Sequence, residues 1–386
     1  MSRFGRASRW IGATSWPLRV SLAALAVSGP ALATDWSLKF GAFQSITLDD
    51  NLDLEEDDRD AGLTSSTAFD LNLLGLGKTY KMGFAPRVSI AKTFFSEEPD
   101  KWSYLPSGTL SLGTWTKLTT YDLVASVARS EASSNDLVED VITTNEGDAL
   151  TYAVTGTISH KVNRRNTISW MNSATLVDYT LPSDDLVPSV TLRTSGTWNR
   201  EMSELISGNL TASAEYYDPD SLTVDERLLY RVTPGFNARL SKRLSVAGAA
   251  GVVMLDPEEG GLAADMIFNA SADYKLKTTS YSLSASRDLS PDDDGSLNDR
   301  YSTRIGVSHQ VNDLTTVGLF ATYAWQTDAE GEESSAFTVS PTLNYQLSRD
   351  WTSSLSYRFV QTDDATETAH SNAVTLTLSY GTFLIP

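Results

Sequence analysis

Thr316-Val317-Gly318-Leu319-Phe320-Ala321-Thr322-Tyr323-Ala324-Trp325 is the stretch whose reading decides the fold. It alternates apolar with polar or small residues, and a period of two lays successive side chains on opposite faces of a β-strand. Runs of this kind fill the chain. They come in pairs, and clusters of Asp and Glu separate the pairs, beginning at Asp49, Glu97, Glu131, Asp178, Asp218, Asp256, Asp288, Asp328 and Asp363. Within a pair the two runs meet at short turns such as Lys161–Arg164, Ser241–Arg243, Val311–Asp313 and Ser348–Asp350. Long alternation joined by short and long connections in turn is the pattern of a transmembrane β-barrel. The expected fold is therefore all-β, an antiparallel up-and-down barrel of about 18 strands, with roughly 16 to 20 compatible with the spacing. The first strand is expected from Trp36 to about Leu48 and the last from about Asn372 to Leu384, while the second to fourth are poorly bounded. With an even count both ends lie at one rim, the periplasmic one, and the acidic connections lie at the other.

The N-terminus sets the compartment. Arg3, Arg6, Arg9 and Arg19 make an acid-free basic stretch, and Val20–Val27 is an apolar run too short to cross a bilayer. Gly29-Pro30 breaks it, and Ala31-Leu32-Ala33 offers the small residues of a signal-peptidase site. Residues 1–33 are thus read as a secretory signal peptide and 34–386 as one barrel, exported to the outer membrane of a Gram-negative bacterium. The chain has no cysteine, so neither a lipid anchor on cysteine nor disulfides are available, and a closed hydrogen-bonded sheet in lipid must supply stability. A net charge of −19 argues against nucleic acid and against an anionic lipid face as partners. Outer-membrane lipid and the barrel assembly machinery are the partners that the fold implies.

Alternation also assigns faces. Leu228, Tyr230, Val232, Pro234, Phe236, Ala238 and Leu240 share one face, expected to touch lipid, with Val190, Leu192 and Trp198. Tyr and Trp near the strand ends fit two interfacial girdles. The opposite face is rich in Ser, Thr, Asn and Gly. Arg87, Arg193, Arg227, Arg231, Arg239, Arg304 and Arg358 are the expected pore-lining residues, with Lys39, Lys81 and Lys275 beside them. The acids expected there are Asp70, Asp122, Glu215, Asp265 and Asp273. Such a wall either contacts an anionic or hydroxyl-rich solute or pairs its own charges across strands to hold a water-filled barrel open.

The acidic connections have two readings as well. Asp53–Asp58 and Asp292–Gly295 are the densest, yet neither has the ligand spacing of a calcium loop, so a solvated rim is the expected role and no metal or cofactor is assigned. Catalysis finds little support. His160 and His309 fall on apolar faces near short turns, with no acid or serine placed beside them on that face, since Ser159 and Ser308 point the other way. In His370-Ser371-Asn372, the neighbours His370 and Ser371 point to opposite faces of a strand, which denies them contact.

Trp351–Phe359, an acidic loop, then Ser371–Tyr380 resembles the closing hairpin of a family of proteobacterial β-barrel porins. Asp49-Asp50-Asn51-Leu52 followed by acids looks like that family's first loop. Relatives of the family are associated with exopolysaccharide and PEP-CTERM/exosortase gene clusters, so the resemblance implies location and fold more than substrate. One departure is that the chain runs past Phe383 to Leu384-Ile385-Pro386, which puts the barrel's terminal aromatic signal at Tyr380 or Phe383. The expected function is a non-enzymatic porin-like channel for small hydrophilic solutes, or a conduit associated with polysaccharide export. The alternative is a non-conducting surface barrel whose acidic loops are structural, adhesive or cation-binding.

Overall fold

The computed structural model describes residues 35–52, 54–56, 59–96, 100–131, 148–180, 186–220, 226–256, 263–291, 297–327, 331, 333–364 and 368–385. The expected signal segment, residues 1–33, lies outside them. Eighteen strands follow one another. They are β1 (Asp35–Asp49), β2 (Gly62–Leu76), β3 (Tyr80–Phe95), β4 (Lys101–Trp115), β5 (Thr119–Glu131) and β6 (Asp148–Lys161). Next come β7 (Asn166–Tyr179), β8 (Ser189–Glu201), β9 (Ile206–Pro219), β10 (Arg227–Arg239), β11 (Leu244–Asp256) and β12 (Ala263–Lys275). The chain closes with β13 (Thr279–Pro291), β14 (Leu297–Gln310), β15 (Thr315–Thr327), β16 (Glu333–Gln346), β17 (Trp351–Asp363) and β18 (Thr368–Ile385). Each strand pairs antiparallel with its sequence neighbours, and β1 pairs with β18, from Leu38↔Ile385 to Asp49↔Ala373. The result is a closed transmembrane barrel in which every strand has two partners, as a bilayer without water demands.

One rim carries the short turns at residues 77–79, 116–118, 162–165, 202–205, 240–243, 276–278, 311–314 and 347–350, together with both described ends of the barrel. Their sequences cap themselves. Asn163 Oδ1 accepts from the backbone N–H of Arg165 at 2.9 Å and of Asn166 at 3.0 Å. Ser203 and Ser241 hydroxyls accept in the same way from Ile206 (3.1 Å) and Leu244 (3.0 Å). At Gly77 a Cβ would stand 2.2 Å from the Tyr80 ring, so any other residue in this turn would have to displace that ring. The opposite rim carries the acidic connections.

The two faces of the sheet invert the ordinary distribution of residues. Large apolar side chains are out in the open, among them Leu376, Ile305 and Leu283. Glu215, Arg231, Asn51 and Ser371 are buried. Lipid on the convex side and polar groups on the concave side account for both. Aromatic contacts sit near the strand ends: Trp351 with Tyr380 (4.9 Å) and Tyr274 with Tyr281 (6.2 Å) at the short-turn rim, and Tyr301 stacked on Trp325 (4.4 Å) towards the other. They mark two interfacial belts.

Candidate functional site

Strand register places Arg193, Arg227, Arg231 and Arg239 on one face with Glu215, Ser195, Ser213 and Asn237. The same register carried round the wall places on this face Arg87 and Asp70, which lie directly opposite each other on β3 and β2, and Arg304 and Arg358 on β14 and β17. This face is the concave one. Arg231 on β10 donates from Nη2 to the carbonyl of Leu289 on β13 at 2.7 Å, although β11 and β12 lie between them along the wall. Three strand spacings are about 14 Å, further than an arginine reaches along a sheet, so the contact crosses the interior.

The basic groups are held differently. Arg231 and Glu215 form a buried pair at 3.0 Å, with side chains 9% and 8% exposed. Arg193 approaches the same carboxylate at 3.8 Å, and Asp288 stands 3.6 Å from Arg231 Nε. Arg193, Glu215, Arg231 and Asp288 thus form one alternating row of charge. Lys81 is bound to Asp122 (2.8 Å), Arg358 to Asp49 (3.3 Å), and Arg87 lies over the Phe43 ring at 5.4 Å. Arg304 is exposed, with Thr322 Oγ1 at 3.4 Å from its Nε. Arg239 and Asp273 line a polar depression by the short-turn rim, apart from the row. Arg227 stands opposite Tyr217.

Among the described residues, three segments turn onto the concave face, and nothing in the alternation announces any of them. The first follows β1. Asp49 accepts from the Ser371 hydroxyl (2.6 Å) and from the backbone N–H of Asn51 (3.0 Å). Asn51, 1% exposed, donates to the carbonyls of Glu55 (2.7 Å) and His370 (2.9 Å). The turn so fixed puts Leu54 at φ +54° and seats it on Ala336 and Val360 of β16 and β17. A leucine tolerates this left-handed backbone because its side chain gains apolar contact inside the barrel.

The second segment is the end of β13. Leu289 packs on Leu229, Val253 and Ile267 of β10, β11 and β12, all buried, with Leu255 alongside. Arg287, one turn of the pleat earlier, donates to Asp265 Oδ2 (2.7 Å), Asp299 Oδ2 (2.7 Å) and the Met266 carbonyl (2.9 Å). The third precedes β8, where Leu186, 1% exposed, packs on Ala149 and Tyr179 of β6 and β7. The sequence sign of all three is an apolar residue set beside an acidic cluster: Leu54 after Asp53, Leu186 after Asp185 and Leu289 after Asp288.

The histidines take no part in this arrangement. His160 and His309 each stand 2.8 Å from a threonine hydroxyl, Thr119 and Thr279, on the lipid side. His370 lies 3.0 Å from Arg59, while Ser371 turns inward to Asp49. Of the acids considered for cations, Asp53, Asp57, Asp58 and Asp292–Asp294 lie outside the described residues.

No protein-family model and no curated protein sequence matches the chain. Solved structures do. The fold is similar to that of Pseudomonas aeruginosa OpdQ, with a TM-score of 0.52 at 10% identity over 91% of this chain and 99% of that one. It is similar to Pseudomonas aeruginosa OccK7 (OpdD), with a TM-score of 0.52 at 11% identity and the same coverage of 91% and 99%. Acinetobacter baumannii OccAB4 gives 0.50 at 12% identity over 91% and 98%. At such identities the likeness establishes the fold alone.

Proposed function

We propose that this protein is an outer-membrane channel for small hydrophilic solutes. The observation that carries the proposal is the concave face: a polar wall with the charge row Arg193–Glu215–Arg231–Asp288, narrowed by segments that turn into the lumen. Hydroxyls and amides along a water-filled path replace part of a solute's hydration, while paired charges set the field it meets. The in-turned segments favour a small solute over a polymer, which weighs against direct passage of exopolysaccharide. The fold shared with OpdQ and OccK7 agrees with a channel but does not name its cargo.

Planar-bilayer recording of the purified, heat-modifiable barrel tests the reading. Discrete ohmic steps are expected. A correctly folded barrel that never conducts would instead leave the acidic connections as its working surface, in a structural, adhesive or cation-binding role.

A further inference from the structure

The pairing of β12 with β13 stops early. It runs from Lys275↔Ser280 to Phe268↔Arg287, although β12 begins at Ala263 and β13 continues to Pro291. On its other side β13 stays paired with β14 up to Pro291↔Leu297. The upper end of β13 therefore parts from β12 and laps inside it, still paired with β14, which itself stays paired with β15 up to Asp299↔Thr327.

Parity shows how. Arg287 and Leu289 share the face of β13 that lower down carries Leu283 and Tyr281 towards lipid. Above the split that same face rests on the concave side of the neighbouring strands, Leu289 on Leu229, Val253 and Ile267, and Arg287 on Asp265. A continued register would set Ile267 opposite Asp288 and Met266 opposite Leu289. Leu289 would then face lipid beside Met266, which is 65% exposed.

Each arrangement satisfies groups the other gives up. Lapped, the segment buries Leu289 and gains the Arg231 bond to its carbonyl, and Arg287 takes the Met266 carbonyl in place of a ladder partner. The lapped form leaves Arg231 Nε buried without a hydrogen-bond acceptor, since Asp288 stands off at 3.6 Å. Paired, the seam regains ladder hydrogen bonds, and a lipid-facing leucine replaces a lumenal one. Apolar burial of one leucine and a few ladder bonds are both on the order of a few kcal/mol, so neither form dominates by a wide margin.

Resting on the channel reading, we propose that the β12–β13 seam is a gate: lapped, it narrows the lumen, and paired, it widens the lumen and exposes Arg231 to the solute path. Opening thus raises conductance and anion preference together.

The chain has no cysteine, so paired cysteines report each form separately. Val253→Cys with Leu289→Cys traps the lapped seam, and Met266→Cys with Leu289→Cys the paired one, each bridged by oxidant or a short bismaleimide in native membranes. Both pairs are expected to cross-link in barrels that keep heat-modifiable migration. The paired form should conduct on the order of twofold more than the lapped one, with reduction abolishing the difference for the oxidised pairs. If Val253/Leu289 cross-links and Met266/Leu289 never does, the seam is static and the gate is wrong. If both cross-link and conduct alike, the seam moves without gating, and the proposal falls while the channel stands. If Met266/Leu289 cross-links yet no form conducts, wild type included, the channel reading falls and takes the gate with it.

Discussion

Arg231 and Arg304 carry the same guanidinium under opposite conditions, and their replacement should separate stability from selectivity. Arg231 is buried against Glu215, so Arg231→Ser leaves the carboxylate to the more distant Arg193 alone, a loss of up to about 3–5 kcal/mol for a buried pair broken on one side. The folded band on unheated gels should unfold at a lower temperature than wild type. Arg304→Ser removes an exposed charge whose nearest partner is a threonine hydroxyl. Its melting should be unchanged, and its reversal potential should move in the cation direction. An Arg304→Ser channel with the wild-type reversal potential would remove that arginine from the solute path. Which residues share a face is readable from period two at Arg227, Arg231 and Arg239. That Arg231 is also gripped by a carbonyl from β13 is not, because it depends on strands meeting across the interior, and no local pattern encodes that.

Single strands show the same division. The short turns announce themselves through Asn163, Ser203, Ser241 and Asn312, whose side chains hold the backbone of the turn. β2 to β4 are harder to delimit, since Leu71-Asn72-Leu73-Leu74 and Ser65-Ser66 break the alternation at β2. β10 contains Pro234, which has no N–H for β11, and the register of that pair skips from Val232↔Val252 to Gly235↔Ala249. Gly251 lies in the gap, where a Cβ would stand 2.1 Å from the Val232 carbonyl oxygen. Gly251→Ala should therefore force the two backbones apart and cost about 1–3 kcal/mol, seen as a lower unfolding temperature on gels. Gly108 has open space at its Cβ position, so Gly108→Ala should be neutral or mildly stabilising in the same assay.

At the scale of the molecule, charge is sorted by rim, with acids gathered in the long connections and the short turns comparatively basic. At physiological salt the Debye length is about 8 Å, so an acidic rim acts weakly on a deeper constriction. Weak anion preference is expected at high salt, drifting towards cations as salt falls and the field of the rim reaches further. Reversal potentials across a salt series measure this; a preference independent of salt would mean that the rim does not act on the path. Topology has its own test. A protease site placed after Glu333, at the acidic rim, should be cut on intact cells, and one placed at Lys242 only after the outer membrane is breached. The strand count and the inversion of faces were legible in the sequence because both are periodic. The lapped seam is a departure from periodicity and left no such trace.

The β1–β18 junction joins residues far apart along the chain: the Ser371 hydroxyl bonds to Asp49 across 322 positions. Every other strand pairing is between sequence neighbours and forms as a hairpin. Bringing the two ends together costs about 5 kcal/mol of chain entropy before any contact repays it. The polar hooks there, Asp49 to Ser371 and Asp50 to the backbone and side-chain amides of Asn372 at 2.6 and 2.8 Å, are among the contacts that repay that cost and fasten the closed barrel. The first and last hairpins must wait for each other, and until they meet the nascent sheet has two sticky edges that need shelter from other chains.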